Sequence, residues 1–440
     1  DLEITTISES PLWHNVLWVG TDDGNVQVSR DGGRKWTEVS KNISDLPTGS
    51  YVSRVLASGR KRSLAYATFD RHREGDWKPY VYRTEDYGTS WVKLTNGLPL
   101  GSVNVIIEHP DDPSVLILGT EHAVFVSFNS GENWVNFKSN LPTTLYDDML
   151  IHPREKDLVL GTHGRSFWIL DDTTPLAEWR HATGKSVHVF SVSPTSLFEY
   201  WKDTSYRAQE EWAGENRHYG AIISFVVNAN TDSVMVIVKR RKDEIIRRYN
   251  VAVEKGVIQR MVWDLKHSPP SFKKNEKVTE GLVKPKPEDI FPRPAQSLDP
   301  EGPSVSPGVY TVSVIAGDHY SEQSIRVNPD PLLNIKLGDY RQREKFLLKV
   351  MAMHEAAYAL NENLQSEIDT LKKSLDEEDE KLKAVQAKQK KVNGVRSSAM
   401  RLGADLQGGG VRQGSFFLPT KTHRDRFARL QRSWNEMKGE

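Results

Sequence analysis

The sequence predicts a mainly β chain with an α-helical C-terminus: a partial β-propeller of about four blades, a β-sandwich, then a helical hairpin. Three observations carry this: a blade-sized repeat over the first 172 residues, six β-branched segments between residues 219 and 332, and a helical apolar period from Leu337 onward.

The repeat comes first because it sets the architecture. Ser10-Pro11 leads into Val16-Leu17-Trp18-Val19-Gly20-Thr21. His109-Pro110 leads into Val115-Leu116-Ile117-Leu118-Gly119-Thr120, and His152-Pro153 into Leu158-Val159-Leu160-Gly161-Thr162. A weaker copy, Leu64-Ala65-Tyr66-Ala67-Thr68, lies between the first two. Positions 20, 67, 119 and 161 are then 47, 52 and 42 residues apart, the size of a four-stranded propeller blade. Each run is followed by a second strand and a turn of one kind, Ser/Thr-x-Asp/Asn-x-Gly-x-x-Trp. The copies are Ser29, Asp31, Gly33, Trp36; Thr84, Asp86, Gly88, Trp91; and Ser127, Asn129, Gly131, Trp134. The hydroxyl and carboxylate suit bonds to turn amides, glycine takes a positive φ, and tryptophan packs between sheets.

These turns resemble the Asp-box (BNR) repeats of sialidases, xyloglucanases and the sortilin (VPS10) propeller. The string Gly161-Thr162-His163-Gly164-Arg165-Ser166-Phe167-Trp168-Ile169-Leu170-Asp171-Asp172 is similar to the last blade of large bacterial sortilin-like or BNR-repeat proteins, many of which carry the label glycosyl hydrolase. The resemblance implies a propeller with more blades than four, and structural Asp boxes. The fourth copy has no Asp box. The chain opens on the first inner strand at Ile4 to Ile7, so the expectation is that an N-terminal fragment or a second chain completes the ring. Asp1 reads as a processed or truncated end with a signal peptide upstream, which places the protein in a secreted, periplasmic or cell-surface setting. The expected regions are 1–172 partial propeller, 173–218 irregular aromatic connector, 219–332 sandwich with a Pro-rich insertion at 268–307, and 333–440 helices.

Gly220 to Val227, Ser233 to Lys239, Glu244 to Val251, Ile258 to Leu265, Gly308 to Ile315 and Ser321 to Val327 read as the sandwich strands. Val262-Trp263-Asp264-Leu265 and Pro307-Gly308-Val309-Tyr310-Thr311-Val312 resemble paired strands of immunoglobulin- or fibronectin-like modules. Between them, residues 268 to 307 hold nine of the 22 prolines, which denies that stretch a ladder. Phe346, Val350, Met353, Ala357, Leu360, Leu364, Ile368, Leu371 and Leu375 form a coiled-coil seam. A second helix follows the acidic Asp376 to Glu380 and carries Leu382, Val385, Val392, Ala399, Leu402 and Leu406 up to Gly408-Gly409-Gly410. A short third helix carries Phe427, Leu430 and Trp434.

Composition excludes several classes. With 59 basic and 59 acidic residues in 440, no global basic field exists for nucleic acid. The longest nearly apolar run, Tyr219 to Val227, is too short to span a bilayer as a helix. Zero cysteines remove disulfides, thiol catalysis and thiolate metal sites. No cofactor or metal site has a ligand spacing behind it, and no nucleophile elbow, P-loop or dinucleotide fingerprint is present.

The loops after each Gly-Thr gather Asp22, Asp23, His72, Glu121, His122, His163 and Arg165 on one rim, which reads either as turn chemistry or as a ligand site for a protein, peptide or carbohydrate. Asp22, Asp23 and Glu121 are the catalytic candidates, since glycoside hydrolysis needs two carboxylates about 5 to 9.5 Å apart. The preferred expectation is a non-catalytic secreted or envelope-associated binding or scaffold protein. The alternatives are a sialidase- or xyloglucanase-like glycoside hydrolase and a structural subunit of an envelope complex.

Overall fold

The computed structural model describes residues 3–138, 140–198, 218–241, 244–271, 301–374, 376, 379–409 and 412–439. Most of the Pro-rich insertion, the aromatic residues Tyr200, Trp201, Tyr206 and Trp212, and Leu375 and Gly410 lie outside the described residues. The chain divides into two compact units, Asp1–Thr183 and Gly184–Glu440.

The first unit holds four antiparallel meanders. They are β1 (Ile4–Glu9), β2 (Leu17–Thr21), β3 (Val26–Ser29) and β4 (Thr37–Glu38); β5 (Tyr51–Ala57), β6 (Ala65–Asp70), β7 (Tyr80–Thr84) and β8 (Val92–Lys93); β9 (Val103–Glu108), β10 (Leu116–Thr120), β11 (Val124–Ser127) and β12 (Val135–Asn136); and β13 (Tyr146–Ile151), β14 (Leu158–Thr162) and β15 (Phe167–Leu170). The fourth sheet stops at three strands. After Leu170 the chain turns back instead: the Asp172 amide donates to Asp157 Oδ1 at 2.9 Å and the Thr173 hydroxyl to the Lys156 carbonyl at 2.6 Å. Two short helices follow, α1 (Thr174–Ala177) and α2 (Trp179–Ala182).

Every first strand carries a β-bulge at its start, at Thr5, Ser53, Asn104 and Asp147. This register places Thr68, not Ala67, at the position of Gly20, Gly119 and Gly161, because Ser53 occupies the extra place opposite β6. The sequence alignment of the weak copy is therefore one residue out.

Successive sheets stack through a fixed plug. A Cβ on Gly20 would stand 2.3 Å from Val52 Cγ1 of the second sheet, and one on Gly119 would stand 2.7 Å from Met149 Cε and 3.1 Å from Tyr146 Cβ of the fourth. Glycine is required there because the next sheet's first strand occupies the space of a side chain. Val52, Val103 and Tyr146, each just before its bulge, are fully buried, and so are Val55, Ile106 and Met149 three residues on, at 5% exposure or less. Their equivalents in the first sheet, Ile4 and Ile7, are both 66% exposed. The other end mirrors this. Val26, Val81 and Val124 are buried, whereas the matching Phe167 of β15 is 76% exposed, and Ile169 is 64% exposed where Val28 and Val126 are buried. Among the described residues, no plug from another sheet reaches Gly161, whose nearest neighbours are Asp148 and Phe167 of its own sheet.

The second unit contains all six expected strands and two more from the region read as irregular connector. One sheet runs β16 (Val187–Val189), β18 (Ala221–Val227) and β21 (Ile258–Trp263). The other runs β17 (Thr195–Ser196), β23 (His319–Asn328), β22 (Gly308–Ala316), β19 (Ser233–Arg241) and β20 (Glu244–Ala252). Their buried faces share one core with Phe225, Trp263, Tyr310 and Ile325. The connector is ordered at β16 because His188 and its neighbours pair with Val226 along β18, a tertiary partner invisible to local propensity.

Three helices complete the chain: α3 (Leu337–Leu371), α4 (Glu380–Gln407) and α5 (Lys421–Gly439). Val350, Met353, Ala357 and Leu364 of α3 pack with Val392, Ala399 and Leu402 of α4 and Phe427 and Trp434 of α5. Asp379 caps α4 through the Lys381 amide at 2.8 Å, and Gly408, at φ +78, closes it. A two-residue ladder joins β24 (Gly408–Gly409) to β25 (Arg412–Gln413). Buried Glu344 of α3 accepts from His267 Nε2 at 2.6 Å, from the Ser306 hydroxyl at 2.7 Å, and from Arg240. Burial alone would raise the Glu344 pKa, but these hydrogen bonds and the Arg240 charge outweigh it and hold the carboxyl at about 2.

Candidate functional site

Two sets of polar residues sit at opposite ends of the first-unit sheets, since the third strand of each of the first three sheets runs from the loop after its second strand to the Asp-box turn. The Asp boxes form one end. Ser29 Oγ accepts the Gly33 amide at 2.8 Å while donating to Asp31 Oδ1, which also accepts the Lys35 amide at 2.9 Å. Thr84, Asp86, Gly88 and Ser90 reproduce this at 2.8 and 2.9 Å, and Ser127, Asn129, Gly131 and Asn133 at 2.9 and 3.0 Å. The amide of Lys35 beside Asp31, and that of Ser90 beside Asp86, hold these carboxyls below their ordinary range. Their oxygens are committed to the turn.

The tryptophans then couple sheets. Trp91 Nε1 donates to the Val39 carbonyl of the first sheet at 3.2 Å, and Trp134 Nε1 to the Leu94 carbonyl of the second at 2.9 Å. Trp36 bonds its own turn at Gly33 and is 39% exposed, against 4% for Trp134. The glycines repeat the contrast: a Cβ on Gly88 would meet Val39 and one on Gly131 would meet Leu94, each at 2.6 Å, while one on Gly33 would meet nothing nearer than 3.7 Å.

The other end carries the rim. Asp22 accepts the Glu3 amide at 3.0 Å, and Asp23 accepts from Thr21 Oγ1 at 2.5 Å and Asn25 Nδ2 at 2.7 Å. Both act as turn caps of the first sheet. His72 pairs with Asp70 at 2.5 Å and lies 6.2 Å from the exposed Trp77 ring. In the same loop Tyr80 donates to Asp76 at 2.6 Å, which lowers the Asp76 pKa, whereas burial and then the Asp76 bond push Tyr80 up to about 12. His122 Nε2 lies 3.9 Å from Glu121 Oε2, and His163 Nδ1 lies 3.5 Å from Asp147. Arg165 is exposed, its carbonyl accepting Trp168 Nε1 at 2.9 Å. The candidates thus occupy one end of four successive sheets, but Asp22 and Asp23 in the first sheet and Glu121 in the third share no hydrogen bond.

The bulged residues, which sequence reading did not single out, link the sheets at this end. Thr5 Oγ1 donates to the Val52 carbonyl at 2.7 Å, and Ser53 Oγ to the Val103 carbonyl at 2.6 Å. Arg54 reaches past the third sheet to Asp148 at 2.5 Å. A signal was available: a polar residue recurs 15, 15, 15 and 14 positions before residues 20, 68, 119 and 161. Among the described residues, no group of His, Asp and Glu is placed to hold a metal ion, and no helix is long and apolar enough to cross a membrane.

Against known proteins, the model of the family described as sortilin, neurotensin receptor 3 (Sortilin-Vps10) matches residues 79–252. That stretch, less than half of the chain, is similar to the sortilin/VPS10 family. No curated protein matches. Among solved structures, a GH74 enzyme of Niastella koreensis is 12% identical with a TM-score of 0.33, covering 40% of this chain and 29% of that one. YCF48 bound to a D1 peptide is 14% identical with a TM-score of 0.27, covering 51% and 60%. YCF48 from Cyanidioschyzon merolae is 15% identical with a TM-score of 0.27, covering 57% and 72%. The chain thus spans under two thirds of the first two. At such TM-scores, what these proteins bind or cleave carries no argument about this chain.

Proposed function

We propose that this chain is a non-catalytic binding or scaffold protein of the cell exterior or envelope, whose four sheets are a segment of a sortilin-like propeller. An immunoglobulin-like sandwich and a helical hairpin follow. The observation that carries the ring-segment reading is the contrast between ends and interior: Ile4, Ile7, Trp36, Phe167 and Ile169 are exposed at positions whose counterparts inside the stack are largely or fully buried. A four-bladed ring closed on itself would bury both ends. The placement outside the cytoplasm rests on the resemblance of the repeats. The non-catalytic reading rests on the carboxylates: Asp31 and Asp86 serve their turns, and Asp22 and Asp23 cap theirs.

The test is turnover of a panel of polysaccharides and sialosides by the full chain. The expected result is none. Hydrolysis that disappears in Asp22→Asn or Glu121→Gln, with circular dichroism unchanged, would overturn the binding reading in favour of a glycoside hydrolase.

A further inference from the structure

The two His-Pro pairs, His109-Pro110 and His152-Pro153, have no part in the rim or in the Asp boxes. Each opens the loop between the first and second strands of its sheet. Each histidine also accepts a backbone amide on Nδ1, His109 from Asp111 and His152 from Glu155, both at 3.1 Å. His152 is half-buried. His109 is 0% exposed, and so is Thr173, whose hydroxyl lies 2.9 Å from His109 Nε2. The tautomer follows from these partners. Nδ1 faces an N–H and is therefore unprotonated. Thr173 Oγ1 gives its own proton to the Lys156 carbonyl at 2.6 Å, so towards His109 it accepts, and Nε2 carries the hydrogen.

Thr173 lies where the chain leaves the fourth sheet. Its amide donates to the same Lys156 carbonyl at 2.8 Å, and its own carbonyl accepts the Leu176 amide at 2.9 Å as α1 begins. Asp172 before it stands at φ +52, with its amide on Asp157 and its carboxylate on the Thr174 amide. The His109 bond thus ties this exit turn, and through Lys156 the fourth sheet, to the third.

We propose that His109 is an acid-operated latch: as a neutral imidazole it fastens the exit turn at Thr173 to the third sheet, and its protonation releases that turn. The added proton has to go on Nδ1, where it points at the hydrogen of the Asp111 amide, so the charged ring cannot keep both bonds. The surroundings agree. Burial keeps His109 below the ordinary imidazole range; Asp111 and Asp112 of its own loop pull it up, and Lys156, from the loop between β13 and β14, pushes it down, while Arg180 of α2 acts on Asp112. With the closed value lowered, the latch has its full strength above about pH 6.5. It weakens as pH falls below that, the opening constant rising up to about tenfold per pH unit until the closed value is reached.

The test is hydrogen exchange of single amides in the full chain at about pH 7.5 and about pH 5, with the intrinsic pH dependence of exchange divided out. The Asp111 and Thr173 amides are expected to lose between about threefold and about thirtyfold protection, while Ala67 and Tyr82, paired inside the second sheet, keep theirs. His109→Gln, which accepts and donates but does not titrate in this range, is expected to flatten the response. A smaller loss at Asp111 and Thr173, an equal loss at Ala67 and Tyr82, or a response that survives in His109→Gln overturns the latch. Should that variant fail to fold, nitrogen NMR of the histidine rings in the unaltered chain decides. The ring in contact with Thr173 is expected to carry its hydrogen on Nε2 alone at neutral pH, and an Nδ1–H form or a charged ring there overturns the proposal.

Discussion

Truncating Trp134 and Trp36 to alanine separates an interior sheet boundary from an open one. Trp134 is 4% exposed, packs among Leu94, Leu116 and Phe125, and donates its indole N–H to Leu94 across the sheet boundary at 2.9 Å. Removing a buried indole costs about 3–5 kcal/mol. Within that, the Leu94 carbonyl loses a donor, which by itself is worth about 1–3 kcal/mol. Trp36 occupies the same place in its repeat but is 39% exposed, and its N–H bonds its own turn. Its truncation therefore costs about 1 kcal/mol or less, as at other exposed sites. The assay is urea unfolding of the full chain, followed through the hydrogen exchange of β1 to β15 so that the first unit is read by itself. With a slope of about 2–3 kcal/mol per molar urea, Trp134→Ala lowers the midpoint by about 1 M or more, and Trp36→Ala by at most about 0.5 M. Equal shifts would refute the reasoning, because Trp36 would then already have a neighbouring sheet over it.

Gly88→Ala sets a Cβ 2.6 Å from Val39 at φ +83 and is expected to cost about 2 kcal/mol or more, whereas Gly33→Ala, at φ +87 with no neighbour nearer than 3.7 Å, costs only the left-handed strain of about 1–2 kcal/mol; thermal unfolding of the pair checks the order. Glu344 is held at about 2, below its unfolded value of about 4.5, so it contributes stability above pH 4.5 that is lost as pH falls towards 2, amounting to about 3 kcal/mol. Acid titration of the second unit's helical signal should show this loss. Glu344→Gln should weaken the fold by about 3 kcal/mol at neutral pH and flatten that limb, because Arg240 then lacks its buried partner.

The local code was legible in residues. Ser29-x-Asp31-x-Gly33-x-x-Trp36 and its two copies specify their turns through bonds that span at most four positions, so the motif predicts them wherever it occurs. Six of the strands and the three long helices of the second unit were equally readable from β-branched runs and the apolar seam. The register of the weak copy was not: Ala67-Thr68 resembles Gly-Thr, and only the bulge at Ser53 shows that Thr68 takes the glycine position. Nor was the role of Asp22 and Asp23, since two adjacent carboxylates look alike on paper whether they face a ligand or cap a turn.

By itself the sequence determined the repeat and its turn chemistry, because periodic spacing and short-range hydrogen bonding are properties of the chain alone. Tertiary structure decided which residues are plugs and which are sockets. Val52 and Ile4 are similar apolar residues in similar strands, and only the presence or absence of a neighbouring sheet makes one buried and leaves the other exposed. The same physics makes Gly161 informative: a missing side chain acquires meaning only from what fills, or fails to fill, its space.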